Sequence, residues 1–216
     1  IIGYSELLKR QDLTQENLQI SIDNIYREGK RIQHLAESML KLVKLRQSSL
    51  QRESLSAREV FAQAAQSFRM RLENEQIKLL IEPDDHRFDG DPELCAILIA
   101  NLLENAVKAS PKKGNITLGV FRHGVQSGIF VKDEGNGIPP EARTRLFEPF
   151  YTTDEARAGQ NGLGLGLAIC FQIAELHDWK IEVESETGQG TRIKVIMPDY
   201  DTTILQVQQD SDIEAD

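Results

Sequence analysis

The sequence has few of the residues and patterns that define several common protein classes. It contains only two cysteines, Cys95 and Cys170, and both stand among apolar residues. This excludes a disulfide-dense secreted scaffold and favours buried thiols in a reducing cytosol. The longest apolar stretch, residues 95–103, is interrupted by Asn101, whereas a membrane-spanning helix needs about 20 apolar residues. We therefore expect no membrane segment in this chain and a cytoplasmic location.

Basic residues are also scarce relative to acidic ones. The chain has 25 Lys and Arg against 34 Asp and Glu, which gives a formal net charge of −9. Residues 199–216 contain six of the acidic residues and neither Lys nor Arg, so the rest of the chain is close to neutral. A chain without a basic stripe is a poor candidate for gripping a phosphate backbone, and we expect no nucleic-acid partner.

The first 48 residues have the pattern of paired helices. Residues 1–10 have the pattern of the end of one helix, and Asp12 or Thr14 can cap the next by accepting hydrogen bonds from its free N–H groups. The second helix extends to about residue 48 and repeats apolar positions every seven residues, which is typical of a helical bundle. The two rows of the repeat are Leu18, Ile25, Ile32 and Met39, and Ile22, Gly29, Ala36 and Val43. We predict a homodimer joined through a four-helix bundle; the alternative is a single helix packed on the domain that follows.

The region after this helix alternates between helical and extended patterns. Residues 49–56 are polar and serine-rich and are interpreted as a linker. Helices are predicted at 57–74, 92–109 and 164–177, and strands at 77–82, 87–90, 115–122, 127–133, 179–185 and 191–197. This order predicts an α+β protein, with the helical hairpin at 1–48 followed by a two-layer α/β sandwich at 57–198. An acidic tail, residues 199–216, ends the chain.

Three polar side chains share one face of the predicted helix 92–109. Asn101, Asn105 and Lys108 are four and three residues apart, a spacing that places side chains next to each other on a helix. An amide oxygen is a suitable ligand for Mg²⁺, and an ammonium group suits a phosphate. Alone, the same three residues are more typical of a solvated helix face.

A glycine-containing turn follows the predicted strand 127–133. The strand ends at Asp133, and Gly135 and Gly137 let the backbone turn tightly and approach a ligand closely. A carboxylate in such a pocket can accept a hydrogen bond from an exocyclic amine, such as that of adenine. Alone, this pattern is more often that of an ordinary turn.

A second glycine-rich segment, residues 159–170, precedes the predicted helix 164–177. Gly162, Gly164 and Gly166 are too many for a helix interior, because each costs about 1 kcal/mol relative to alanine. They fit a flexible lid that leads into a helix N-terminus, where free N–H groups and the helix dipole favour phosphates. A plain glycine-rich linker is the alternative.

A fourth segment, residues 146–153, contains Phe147 and Phe150, which we expect to anchor the base of the lid in the core. A plain aromatic staple is the alternative. In combination, the asparagine helix, D-x-G-x-G, F-E-P-F and G-x-G-x-G segments resemble the N, G1, F and G2 boxes of the sensor histidine kinase ATP-binding domain. Residues 188–191 resemble the glycine–threonine turn before the last strand of that domain. The resemblance covers residues 1–198.

The resemblance implies Mg²⁺-ATP binding and a role for each matching residue. Asn105 would hold Mg²⁺, Asn101 would support the metal or the phosphates, and Lys108 would meet the phosphates. Asp133 would bind the adenine amine, with Thr191 helping nearby. The glycines that would shape the pocket and its lid are Gly135, Gly137, Gly162, Gly164 and Gly166.

The resemblance also implies a protein histidine kinase, which transfers the γ-phosphate of ATP to a histidine and then to an aspartate of a response regulator. Asn101 stands where related ATP hydrolases have a glutamate that activates water, and an amide cannot serve as a base. Glu104, adjacent to Asn105, would instead assist as a base toward the accepting histidine. The alternatives are an ATP-binding module without kinase activity and a serine kinase or ATPase relative.

The histidine acceptor of this family lies in an H-E-x-R-T-P-L segment, a few residues before a sequence similar to residues 1–8. None of the four histidines in this chain has that setting. We therefore expect that the first helix is truncated and that the acceptor lies in the part before residue 1, within a larger sensor; the alternative is a natural chain that never had the histidine. In either case we expect this chain to bind ATP without phosphorylating itself.

Overall fold

The computed structural model describes residues 2–9, 14–45, 50–82, 84–124, 126–152 and 164–198. The chain divides into two compact units, Ile1–Gln47 and Ser48–Asp216. Gly162 and the acidic tail at 199–216, both assigned from the sequence, lie outside the described residues.

Two helices make up the first unit. Helix α1 comprises Ile2–Leu7, helix α2 comprises Gln15–Leu45, and the two are in contact. Thr14 caps α2, because its Oγ1 accepts a hydrogen bond from the backbone N–H of Asn17 at 3.3 Å; the other candidate cap, Asp12, lies outside the described residues. Several apolar side chains of the predicted heptad rows are exposed in the single chain: Leu18, Ile22, Ile32, Met39 and Val43. Pairing of two chains through this row stays a prediction.

The second unit is built on a five-stranded sheet. Its strands are β2 (Lys78–Ile81), β4 (Asn115–His123), β5 (Gln126–Asp133), β6 (Lys180–Ser185) and β7 (Thr191–Met197), in the order β2-β4-β5-β7-β6. The β2–β4 pair is parallel, and the other neighbouring pairs are antiparallel. Two short strands, β1 (Glu53–Ser56) and β3 (Arg87–Gly90), form a separate antiparallel ladder.

Helices cover one face of the sheet and complete the predicted two-layer α/β sandwich. These are α3 (Ala57–Glu75), α4 (Pro92–Ala109) and α6 (Gly166–Leu176), and a short helix, α5 (Pro140–Arg143), precedes α6. Helix α4 contacts α3, α6 and β5. The core between the layers contains fully buried side chains from both, among them Leu98, Leu102, Ile129, Ile173 and Val195.

Helix α4 has the predicted bounds because its first turn is capped. Asp91 Oδ1 accepts hydrogen bonds from the backbone N–H groups of Glu93 and Leu94, each at 3.1 Å. Pro92, the first residue of the helix, has no backbone N–H that would require a partner. Both cysteines are buried and unbridged, as expected: Cys95 lies on α4 and Cys170 on α6.

Strand β1 has no counterpart in the sequence prediction. The composition assigns residues 53–56 to the end of the polar linker 49–56, but these residues pair with β3 over the whole length of both strands. The side chain of Arg87 reinforces the ladder, because its Nε donates to Ser54 Oγ at 2.9 Å. A partner strand more than thirty residues away is invisible in the local composition, which is why a serine-rich segment of this kind resembles a hinge.

Candidate functional site

The three polar residues predicted on one face of α4 are half-buried in the structure. Asn101 turns its amide nitrogen back onto its own helix, where Nδ2 donates to the Ile97 carbonyl at 2.9 Å. The Nδ2 atom of Asn105 is buried and has no hydrogen-bond partner among the described residues. A buried polar group without a partner is costly, so this amide is placed to bind something that the protein itself does not supply.

Glu104 is held between two cations. Its Oε2 is 2.5 Å from Arg71 Nη1 of α3, and its Oε1 is 3.0 Å from Lys108 Nζ one turn further along α4. The side chains of Glu104 and Lys108 are 24% and 26% exposed. Both oxygens of Glu104 are therefore engaged. The sequence does not identify Arg71, because nothing in the pattern of α3 distinguishes it from the other exposed arginines.

The N-terminus of α6 faces the asparagine pair. A Cβ built on Gly166 would lie 3.2 Å from Asn101 Oδ1 and 3.6 Å from both amide atoms of Asn105. Leu165, which precedes the helix, gives no side-chain cap. The first-turn N–H groups of α6 thus open next to two polar side chains of α4, an arrangement that favours a negatively charged ligand.

Gly164 fixes the approach to that helix terminus. Its φ is +66°, and a Cβ there would lie 2.5 Å from the Tyr151 carbonyl oxygen, so neither the conformation nor the space admits a side chain. The Gly164 carbonyl accepts the Phe150 N–H at 2.9 Å. The predicted lid base and the start of α6 are thereby joined through backbone contacts.

One expectation about the lid base is wrong. Phe147 packs against Phe171 of α6, with ring centroids 5.3 Å apart, but Phe150 is 51% exposed and does not enter the core. Phe150 has a φ of +68°, in the left-handed region that residues other than glycine adopt rarely. Backbone geometry of this kind leaves no signal in an F-x-x-F pattern.

Asp133 ends β5 as a buried carboxylate. It is 7% exposed, and its Oδ1 accepts two backbone N–H groups, from Gly135 at 2.8 Å and from Thr191 at 3.2 Å. Burial raises the pKa of Asp133, and the two N–H bonds oppose that shift. The second oxygen, Oδ2, accepts no hydrogen bond from the described residues, so it is the oxygen that can accept from a ligand.

The loop after Asp133 is shaped by two contacts that exclude side chains. A Cβ on Gly135 would lie 2.5 Å from the carbonyl oxygen of Ala109, the last residue of α4. Gly137 has a φ of +68°, and a Cβ there would collide with the Glu186 carbonyl oxygen. The loop is therefore held between the end of α4 and the turn that joins β6 to β7.

Thr191 and Ser185 extend the buried end of the sheet. Thr191 lies directly opposite Asp133 on β7, and Ser185 lies directly opposite Thr191 on β6. The hydroxyl oxygens of Ser185 and Thr191 are 2.9 Å apart. The sequence does not identify Ser185, because its role depends on cross-strand register, which a single strand pattern does not show.

The predicted site residues fall into two clusters that meet at the last turn of α4. Asn101, Asn105 and Gly166 form one, and Asp133, Thr191, Gly135 and Gly137 form the other. Lys108 directly precedes Ala109, the residue that Gly135 contacts. One end of the site offers hydrogen-bond acceptors and the other offers a helix N-terminus, amides and a lysine. Such a site suits an elongated ligand with an amine at one end and phosphates at the other.

Within the described ranges, no group of three His, Cys, Asp or Glu side chains converges as a metal site. The same part of the chain contains no helix that is both long and apolar enough to cross a membrane.

Comparison with known proteins identifies relatives of the second unit and of most of the chain. Residues 90–201, slightly more than half of the chain, match the family described as histidine kinase-, DNA gyrase B- and HSP90-like ATPase. The sensor histidine kinase YkoH of Bacillus subtilis is 36% identical over 202 residues, which are 89% of this chain and 42% of YkoH. Sporulation kinase A of the same organism is 30% identical over 200 residues, 92% of this chain and 32% of that protein. The chain thus spans less than half of the length of these relatives.

Solved structures give the same result. The mycobacterial sensor histidine kinase MprB superposes with a TM-score of 0.60 at 26% identity, covering 68% of this chain and 97% of that one. Full-length ShkA in complex with AMPPNP superposes with a TM-score of 0.69 at 25% identity, covering 91% of this chain and 42% of ShkA.

Proposed function

Since the chain belongs to the histidine kinase-, DNA gyrase B- and HSP90-like ATPase family and its relatives are sensor histidine kinases, we propose that its two clusters bind one molecule of Mg²⁺-ATP. The observation that carries the proposal is the position of the last turn of α4. This turn joins a buried carboxylate with an available oxygen, Asp133, to a helix N-terminus that faces the Asn101 and Asn105 amides. The ends of the site thus differ in chemistry as the ends of ATP do.

The adenine end of the proposed site is formed by Asp133 and Thr191. An ionised carboxylate is an acceptor only, and it pairs with the exocyclic amine of adenine. Gly135 and Gly137 let the loop backbone beside Asp133 pack closely against the end of α4 and the turn between β6 and β7. Gly164 shapes the entrance from the lid side. For Gly162 we propose a role in shaping the lid, which rests on the sequence resemblance alone.

The phosphate end is formed by Lys108, the first turn of α6 at Gly166, and the two asparagines. Mg²⁺ commonly binds through very few protein ligands together with substrate phosphates and water. The unpartnered Nδ2 of Asn105 is a donor and suits a phosphate oxygen, while the oxygen of the same amide would serve as the metal ligand with Asn101 in support. When bound, Mg²⁺ supplies charge neutralisation for the phosphates. Lys108 supplies a second positive charge once its ion pair with Glu104 opens.

The proposed reaction is phosphoryl transfer from ATP to a histidine side chain and then to an aspartate of a response regulator. The bond between the β,γ-bridging oxygen and the γ-phosphorus breaks, a bond from an imidazole nitrogen to phosphorus forms, and ADP leaves. Catalysis of this kind relies mainly on positioning and charge stabilisation. Glu104 is the proposed base, and its ion pairs with Arg71 and Lys108 have to open before it accepts a proton.

The first unit supports dimerisation. Its exposed apolar row on α2, defined above, has the heptad spacing of a bundle and lies open in the single chain. We propose that two chains pair there, that a response regulator receiver domain is the partner in transfer, and that the chain works in the cytoplasm as part of a larger sensor.

Calorimetric titration with AMPPNP, with and without Mg²⁺, tests the nucleotide site. We expect saturable 1:1 binding of AMPPNP whose affinity rises at least about tenfold when Mg²⁺ is added. Asn105→Ala should remove this rise in affinity. Asn74→Ala, an exposed asparagine on α3, is the matched control and should retain the effect. Absence of AMPPNP binding to the wild-type chain would contradict the proposal.

Labelled ATP separates the kinase from its alternatives. None of His34, His86, His123 and His177 has the setting of a histidine acceptor, so we expect no acid-labile, base-stable label on this chain. Steady release of phosphate by the chain alone would favour an ATPase. Labelling of a second protein that carries the acceptor helix would support the kinase.

A further inference from the structure

A row of three side chains crosses the strands beside the adenine end of the site. Asp133 of β5, Thr191 of β7 and Ser185 of β6 are directly opposite one another in adjacent antiparallel pairs. Residues opposite each other lie on the same face of a sheet, with Cβ atoms about 5 Å apart. All three side chains therefore face the helical layer. Thr191 is 6% exposed and Ser185 is half-buried, so water has limited access to their hydroxyl groups as a hydrogen-bond partner.

Only one arrangement of protons makes all three hydrogen bonds of Ser185 at the same time. A serine hydroxyl has one hydrogen to donate and two lone pairs. Ser185 Oγ donates to the Gly190 carbonyl at 2.9 Å and accepts the Ile138 N–H at 2.8 Å. Its second lone pair faces Thr191 Oγ1 at 2.9 Å. Because the Gly190 carbonyl can only accept, the arrangement that makes all three bonds uses the Ser185 hydrogen there and has Thr191 as the donor in this last contact.

This arrangement fixes what Thr191 offers to a ligand. With its hydrogen directed at Ser185, Thr191 Oγ1 has lone pairs only for any further partner. The neighbouring Asp133, when ionised, also has lone pairs only. The adenine end of the site is therefore lined by acceptors. A purine with an amino group at position 6 donates to such a lining, whereas a purine with a 6-oxo group brings a third acceptor against it.

We propose that Ser185 is a positioning residue that sets the hydroxyl of Thr191 as an acceptor and thereby makes the site discriminate 6-amino purine nucleotides from 6-oxo purine nucleotides. The inference rests on the proposed nucleotide binding and adds to it a residue that never contacts the base. Without the Ser185 oxygen, the Thr191 hydroxyl rotates and donates to a 6-oxo group.

The test compares ATP with inosine triphosphate, which carries an oxygen in place of the 6-amino group and a hydrogen on N1, where ATP has a lone pair. A rise in the preference for ATP in Ser185→Ala would mean that Thr191 faces N1 and not position 6, which contradicts the proposal. Dissociation constants of both nucleotides are measured by calorimetry on the wild-type chain and on Ser185→Ala. We expect Ser185→Ala to reduce the preference for ATP over inosine triphosphate by about three- to tenfold, the value of one neutral hydrogen bond. Ser127→Ala removes a buried serine from β5 whose Oγ has no partner among the described residues, and it should leave the preference unchanged.

A double-mutant cycle shows whether Ser185 acts through Thr191. In a Thr191→Val background, which lacks the hydroxyl, a further Ser185→Ala change should no longer alter the preference. Ser185→Thr, which keeps the hydroxyl, should retain the wild-type preference. If Ser185→Ala does not fold, Ser185→Cys provides the measurement, because a thiol is a weak acceptor.

Two further results would overturn the inference. Equal weakening of both nucleotides by Ser185→Ala would mean that Ser185 only braces the loop at Ile138. A shift in preference that persists in the Thr191→Val background would mean that it does not act through Thr191. If the wild-type chain binds neither nucleotide, the proposed function itself fails, and this outcome is distinct from the other two.

Discussion

The Asp133→Asn substitution keeps the size of the side chain and exchanges one acceptor atom for a donor. In the structure Asp133 Oδ1 accepts the Gly135 and Thr191 N–H groups at 2.8 and 3.2 Å. The amide oxygen of the substituted side chain would take over both bonds, since each needs only an acceptor. The amide nitrogen would then occupy the position of Oδ2 and present hydrogens toward the amine of adenine. Two donors would face each other where the proposed complex of the native protein has a donor and an acceptor.

The expected loss of affinity follows from the charged hydrogen bond that is removed. Such a bond is worth about 1.5–3 kcal/mol, and about 1.4 kcal/mol changes a dissociation constant tenfold. The dissociation constant for Mg²⁺-ATP should therefore rise by about 10- to 150-fold.

Folding stability should respond in the opposite direction. Burial raises the pKa of Asp133 above its ordinary value of 3.8. A raised carboxyl pKa contributes stability below pH 3.8, and that contribution is lost as the pH rises through the pKa of the folded protein. At neutral pH the carboxylate thus carries a desolvation penalty that asparagine lacks. The free energy of unfolding of Asp133→Asn at neutral pH should be equal to or higher than that of the wild type.

Competition binding with a fluorescent ATP analogue and urea unfolding at about pH 7.5, well above the ordinary carboxyl range, measure the two effects. Glu134→Gln is the matched control: Glu134 is exposed and accepts the Asn115 N–H at 3.0 Å, away from the ligand-facing oxygen of Asp133. Its affinity for ATP should stay at the wild-type value. An Asp133→Asn chain that binds ATP as tightly as the wild type, or that loses both affinity and stability, would refute the reasoning.

Three further outcomes follow from the geometry. Gly137→Ala should lower the free energy of unfolding in urea by at least about 1–2 kcal/mol, because a side chain at positive φ is strained and its Cβ would also collide with a carbonyl oxygen. An unchanged midpoint of the urea unfolding curve would contradict the loop geometry. Burial lowers the pKa of His177, whose Nε2 accepts the Asp91 N–H at 3.0 Å. The contribution of this neutral imidazole to the free energy of unfolding should be complete above pH 6.5 and be lost as the pH falls below it. His177→Phe should lose this part of the acid sensitivity in thermal melts between about pH 7 and pH 5. Burial raises the pKa of Cys95 to about 12 and raises that of Cys170 as well, so neither thiol should react with Ellman's reagent until the protein unfolds; rapid labelling of the native chain would show that one of them is accessible.

The elements that can be predicted from the sequence are those with local signals. Helix α4 has its predicted bounds because Asp91 and Pro92 mark its start in the sequence itself. Strands β5 and β7 lie within a residue of their predicted bounds because each is rich in β-branched and other large apolar residues. Strand β1 cannot be placed from the sequence, since its four residues, mostly polar, form a strand only when β3 is beside them.

The same distinction applies to the site. Asn105 and Asp133 can be proposed from segments that each have an internal pattern, and the structure brings their elements together at the end of α4. Arg71 and Ser185 cannot be proposed in this way, because one acts across two helices and the other across two strand pairs. The prediction for Phe150 is wrong because a positive φ at a non-glycine residue has no sequence signature. The roles of the site residues themselves stay proposals.

The pairing of β5 with β7 has a consequence for the order in which the chain folds. The β4–β5 and β6–β7 hairpins are closed by neighbouring residues, whereas the bond from Thr191 to Asp133 joins residues 58 positions apart. Long loops close later than short ones, because their closure costs more entropy before any contact compensates it. Each hairpin therefore carries only one half of the proposed adenine pocket, and that pocket forms when the halves join. A nucleotide would then bind only after β5 and β7 have paired. In a refolding chain, the onset of nucleotide binding would therefore report this late pairing step.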